Sequence, residues 1–135
     1  MNDMPTPPII SPWKITRSLV QNICTAARST YPDEFISMIG VTAVDSHTLS
    51  ELVVIPAEFG KTHSSLRTDL IPFDPLIVGS IHSHPNENAH PSSADRNFFS
   101  RMGSIHIIAG YPYMFNTMRA YDSKGKRIPL TLIET

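Results

Sequence analysis

Apolar side chains at Leu19, Val20, Ile23, Cys24 and Ala27 recur three and four positions apart, the spacing of one face of a helix. With Thr16 as N-cap, this predicts a helix over 16–29, which Pro32 keeps from continuing. Residues 34–44 and 48–55 read as two strands joined by a turn at 45–47, together a hairpin. Residues 56–74 show no clear period; Gly60, Pro72 and the following Pro75 mark bends, and a short strand is expected through 62–67. The apolar, β-branched run 75–81 predicts a strand that leads into His82-Ser83-His84-Pro85. A helix is expected over 92–101 and a buried strand over 104–109. Residues 115–121 and 127–133 predict a hairpin through Ser123-Lys124-Gly125. The sum is an α/β chain, a mixed sheet flanked by helices.

Composition narrows this picture. The 135 residues suit a single domain, expected over 14–135, behind an extended, proline-rich segment at 1–13. With 41% apolar residues, the chain can build an ordinary core. A formal net charge of −1 gives no electrostatic reason to expect nucleic-acid binding. The single cysteine, Cys24, excludes an internal disulfide and any cysteine-based zinc site, and its helical position suits a small buried side chain. No apolar run approaches the ~20 residues of a transmembrane helix, and the start lacks a secretory signal pattern. The expected location is the cytoplasm, with no membrane partner.

Candidate chemistry gathers after the 75–81 strand. His82 and His84 are two apart, so on a strand both project to one face while Ser83 points to the other. Pro91-Ser92-Ser93-Ala94-Asp95 follows, with Asp95 in the first turn of the expected helix. Two imidazoles and a carboxylate are ligands of the kind zinc enzymes use when a fourth position is left for water. A second reading of the same residues needs no metal: Ser92-x-x-Asp95 also matches a capping box, and histidines at a strand end are commonly satisfied by hydrogen bonds. The two readings are compatible, because Ser92 can cap the helix while Asp95 faces an ion. Ser83 reads either as a support from behind the site or, slightly preferred, as a plain strand serine. His90 is not counted as a ligand, and His47, His63 and His106 have no partner spacing and default to structural or surface roles. His-Glu-x-x-His, the deaminase pair His-x-Glu with Pro-Cys-x-x-Cys, and the Gly-x-Ser-x-Gly elbow are all absent.

The string Gly79-Ser80-Ile81-His82-Ser83-His84-Pro85, followed by Pro91-Ser92-Ser93-Ala94-Asp95, resembles the signature of the JAMM (MPN+) zinc metalloproteases. The likeness extends upstream to Tyr31-Pro32-Asp33-Glu34-Phe35 and downstream to Ile105-His106-Ile107-Ile108-Ala109-Gly110-Tyr111-Pro112-Tyr113, and covers roughly residues 14 to 134. It is nearest to the compact archaeal members. The resemblance implies a cytidine deaminase-like JAMM/MPN fold and one Zn²⁺ per chain on His82, His84 and Asp95. It further implies Glu34 as general base and then acid, and Ser92 as a donor to the developing oxyanion. Only the resemblance singles out Glu34; by sequence alone Asp33, Asp45, Glu51, Glu58, Asp69 and Asp74 remain equal candidates.

The activity so implied is hydrolysis of ubiquitin-like modifiers with a C-terminal Gly-Gly tail from target lysines. The alternatives are a processing peptidase for a sulfur-carrier-type ubiquitin-like protein and a non-catalytic MPN scaffold. The RadC-type DNA-associated proteins carry a similar string, but those chains are generally longer and no added DNA-binding element is seen here. The short interval between Asp95 and the strand at 104 leaves no room for the second insertion of larger deubiquitinases. The segment 56–74 is then the candidate for ordering around the modifier's tail, by strand addition.

Overall fold

The computed structural model describes residues 11–54, 57–59, 64–66, 71 and 73–134. The chain opens with β1 (Lys14–Thr16) and α1 (Arg17–Thr30). The Thr16 hydroxyl accepts the Leu19 N–H at 3.1 Å, the expected N-cap, and the apolar stripe Leu19, Val20, Ile23, Cys24, Ala27 is buried. Next come β2 (Ile36–Gly40), β3 (Thr48–Leu49) and β4 (Glu51–Val53). A small pair, β5 (Ala57–Phe59) and β6 (Ser64–Leu66), lies within the segment that shows no clear period. Most of 56–74 lies outside the described residues, and so does its expected part in holding a modifier tail; the same holds for the extended segment up to residue 10.

The sheet that carries the site follows: β7 (Ile77–His84), α2 (Ser93–Phe99), β8 (Ile105–Gly110), a 3₁₀ turn at Phe115–Thr117, β9 (Met118–Tyr121), β10 (Arg127–Ile128) and β11 (Thr131–Ile133). Six strands run in the order β10-β9-β8-β7-β2-β4; β7 and β8 are parallel and the other neighbours antiparallel. A second sheet, β11-β1-β3, is wholly parallel.

Two expected strands are broken where the chain changes sheets. The 48–55 strand divides at Ser50: β3 pairs with β1, whereas β4 forms the expected hairpin with β2. The 127–133 strand divides at Pro129, which has no N–H to give a ladder, so β10 stays with β9 and β11 crosses to β1.

Alternation along β7 and β8 sorts the core into two sides. Ile81 and Ile107 pack with Leu19, Ile23 and Ala27 of α1. Ile108 packs with Phe99 of α2, Tyr121 and Ala89 on the other face. Ser80, His82, His106 and Ile108 share that second face, so the predicted ligands emerge beneath α2. No described helix is long and apolar enough to cross a membrane.

Candidate metal centre

Strand geometry sets the first two side chains. His82 and His84 leave the same face of β7, and Ser83 points away, as alternation requires. Ser83 is, however, more than a plain strand serine. Its hydroxyl accepts the Phe35 N–H at 2.7 Å, and its own N–H donates to the Phe35 carbonyl at 2.8 Å. These bonds tie Phe35, just before β2, to the residue between the two histidines, and Glu34 immediately precedes it. Glu34 is half-buried there, and its charge reaches the His84 ring.

The start of α2 sets the third. The Ser92 hydroxyl accepts the Asp95 N–H at 3.0 Å, and the Ser92 N–H donates to Asp95 Oδ2 at 2.9 Å, a complete capping box. The carboxylate so anchored meets both imidazoles: His84 Nε2 lies 3.2 Å from Oδ2 and His82 Nδ1 lies 3.5 Å from Oδ1. The cap and the convergence coexist on one residue. Phe98 and Phe99 stand edge-on to the His82 ring, with centroids at 5.0 and 5.6 Å, and seal it from above.

Burial and charge act against each other in this cluster. Burial pulls His82 down, and although the Asp95 charge opposes this, its pKa falls to about 4. Burial also pulls on His84, but the Asp95 hydrogen bond, the Asn88 carbonyl and the charges of Asp95 and Glu34 outweigh it, and its pKa is raised. Burial pushes Asp95 upward, yet the His84 hydrogen bond, the Ser92 N–H and the two nearby rings bring it down to about 2. Asp95 is therefore a carboxylate at any working pH.

Whether these residues suit a metal ion can be judged from their donors. His84 Nδ1 faces the Asn88 carbonyl at 2.8 Å, an acceptor only, so Nδ1 carries a proton and Nε2 is the atom turned toward Asp95. In the neutral ring that atom is a lone pair facing a carboxylate oxygen, a gap closed by a proton in the charged ring or by a metal ion. Two donors ~2.1 Å from a tetrahedral ion stand roughly 3.4 Å apart, and each imidazole lies near that spacing from its own Asp95 oxygen, His84 at 3.2 Å from Oδ2 and His82 at 3.5 Å from Oδ1. Among the described residues no three or more His, Cys, Asp or Glu side chains stand in an arrangement that could already hold a metal ion. The fit rests on the pairwise spacings and on the fixed donor of His84, which are consistent with a zinc-type ligand set.

Other sequence candidates fall elsewhere. Asp45 accepts hydrogen bonds from Thr48 and His47 in a turn, and Asp74 accepts the Leu76 N–H. His90 is exposed, with its backbone tied to Asn88, and His47 is exposed against Trp13. His63 lies outside the described residues. His106 takes the structural one of its two default roles, but on the ligand face: it is fully buried, stacked on Phe99 at 4.4 Å, and hydrogen-bonded to Ser80. A histidine in the otherwise apolar run 105–110, beside a strand with serine two before the first ligand, is the signal that could have found it.

The model of a protein family, the prokaryotic homologs of the JAB domain, matches residues 16–124, which include Glu34, His82, His84, Ser92 and Asp95. A relative from Haloferax volcanii described as a probable metalloprotease is 34% identical over 118 residues, 81% of this chain and 72% of that protein. The chain belongs to the JAMM/MPN family. A solved JAMM structure, described as a metalloprotease-like zinc site in the proteasome and signalosome, is 32% identical with a TM-score of 0.71, over 90% of this chain and 98% of that one. A JAB1/MPN domain protein from Archaeoglobus fulgidus is 31% identical with a TM-score of 0.70, over 90% and 97%. The mixed α/β architecture described above is thus a JAMM/MPN fold, and the family is one of metalloprotease-like proteins.

The buried rings give this JAMM domain a predictable acid response in its metal-free form. His82 and His106 are both lowered from 6.5 to about 4, chiefly by burial. Their folded values lie below the unfolded one, so their contribution to stability is present above pH 6.5 and is lost as pH falls toward about 4. His84, with its raised value, contributes in the opposite sense, fully below pH 6.5 and fading as pH rises through its folded pKa. Asp95 holds its share until pH drops below 3.8 toward about 2. Urea unfolding of chelator-treated protein should therefore show stability falling between pH 6.5 and 4, by roughly 3 kcal/mol for each ring at full shift. His106→Phe should about halve that slope. A slope identical to wild type would contradict the assignment.

Proposed function

We propose that this JAMM domain is a zinc-dependent isopeptidase that releases ubiquitin-like modifiers with Gly-Gly tails from target lysines. The observation that carries the reading is the Asp95 carboxylate meeting both imidazoles at 3.2 and 3.5 Å, with Glu34, just before β2, close enough for its charge to act on His84. His82, His84 and Asp95 would hold one zinc per chain. When bound, it supplies Lewis acidity that lowers the pKa of water and polarises the scissile carbonyl.

The chain's own groups do the rest. Glu34 takes the proton of the attacking water and gives it to the lysine amine as the C–N bond breaks. Ser92 already accepts the Asp95 N–H at its oxygen, so its own hydroxyl proton can be given to the carbonyl oxygen as charge develops there. Phe98 and Phe99 shield the His82 ring from water, which strengthens the electrostatic terms inside. No covalent acyl-enzyme is required. The descriptions of the relatives, a probable metalloprotease and a metalloprotease-like zinc site, support the same chemistry.

The substrate test compares a lysine-linked Gly-Gly modifier conjugate with a linear fusion of the same modifier, using zinc-loaded protein. The expected result is faster cleavage of the lysine-linked conjugate. Cleavage of the linear fusion alone would move the protein to processing of a sulfur-carrier-type partner. Zinc-loaded protein that cuts neither would favour a scaffold.

A further inference from the structure

Beneath the candidate ligands runs a chain of buried polar contacts that the reaction does not use. His106 Nε2 is 3.1 Å from the Gly103 carbonyl, His106 Nδ1 is 2.6 Å from Ser80 Oγ, and Ser80 Oγ is 3.1 Å from His82 Nε2. Ser80 and His106 are both fully buried, and they sit opposite each other in the parallel β7–β8 register. Gly103 has φ +120°, and a Cβ there would come within 2.5 Å of the Val78 carbonyl. The turn that presents its carbonyl to His106 therefore depends on glycine.

The direction of these bonds is determined by their far end. A carbonyl only accepts, so His106 carries its proton on Nε2 and donates it to Gly103. In the neutral ring Nδ1 is then an acceptor and receives the Ser80 hydroxyl proton. With its proton committed, Ser80 Oγ can only accept from His82, so His82 carries its proton on Nε2. The lone pair of His82 is thereby placed on Nδ1, the atom 3.5 Å from Asp95 Oδ1. A serine alone would leave His82 undecided, because a hydroxyl can either donate or accept. His106 removes that freedom, and Phe99, stacked on its ring with planes 9° apart, holds it in plane.

We propose that Ser80 and His106 are positioning residues of the metal centre: the relay from Gly103 through His106 and Ser80 fixes the His82 tautomer and ring orientation, so that its Nδ1 lone pair faces the ion shared with Asp95. The inference rests on the metal reading of the site given above. A histidine whose second nitrogen is held this way is a better-oriented ligand, and loss of such a partner costs ~10–100-fold in metal affinity. A purely packing role for the two side chains predicts no such dependence.

The test is zinc affinity by competition with a chelator, and the visible spectrum of the cobalt(II)-loaded protein, for wild type, Ser80→Ala, His106→Phe and the double variant. Phenylalanine keeps the stack on Phe99 while removing both ring nitrogens. Each single variant should bind zinc ~10–100-fold more weakly and shift the cobalt bands, and the double variant should be no worse than the weaker single, because the residues act in series. Wild-type affinity and spectrum in either single variant, or losses that multiply in the double, would overturn the relay. If His106→Phe fails to fold, Ser80→Ala carries the test by itself. A wild-type protein that takes up neither metal would overturn the metal reading itself, and the relay with it.

Discussion

Glu34→Gln is expected to leave zinc bound at the wild-type level while hydrolysis of a Gly-Gly conjugate falls by ~10²–10⁴-fold. Glutamine keeps the size and a hydrogen-bonding oxygen but cannot take a proton from water. Glu34 is not among the three groups that close on one another, so metal content should not follow activity. The position matters as much as the charge. Phe35 is bonded at both its N–H and its carbonyl to Ser83, which ties the residue after Glu34 to the residue between the two histidines. Metal analysis alongside single-substrate kinetics checks the result. Normal turnover in Glu34→Gln would transfer the base role to another carboxylate.

Asp95→Asn is expected to abolish both zinc binding and activity, a loss larger than the roughly 10–100-fold attached to an outer partner. The amide oxygen can still accept the Ser92 N–H, so the helix start should persist. What disappears is the negative charge that meets both imidazoles. Asp95→Ala removes that charge and half of the capping box together, and should cost about 1 kcal/mol more in metal-free stability than a retained cap would. Circular dichroism and zinc titration of the two variants separate cap from ligand. An Asp95→Asn variant that binds zinc as tightly as wild type would remove Asp95 from the ligand set.

Much of this is legible in the residues because local rules govern it. The α1 stripe and its Thr16 cap, the β7 strand and the Ser92–Asp95 box each depend on neighbours within a turn or on simple alternation. What cannot be read depends on partners distant in the chain. The breaks at Ser50 and Pro129 arise because β1 takes one strand from each side, a pairing that no local pattern announces. Ser83 reads as an ordinary strand residue because its partner, Phe35, is 48 positions away. His106 reads as isolated for the same reason: its meaning lies in the parallel register that sets it against Ser80. Glu34 needs the family likeness, since many carboxylates are candidates until the Phe35–Ser83 bonds bring this one near enough for its charge to act on His84.

Zinc-edge anomalous diffraction from crystals grown with Zn²⁺ tests the central claim most directly. One strong peak per chain is predicted, within bonding distance of His82, His84 and an Asp95 oxygen. A map in which those side chains hold only one another, with zinc absent or bound elsewhere on the molecule, would contradict it.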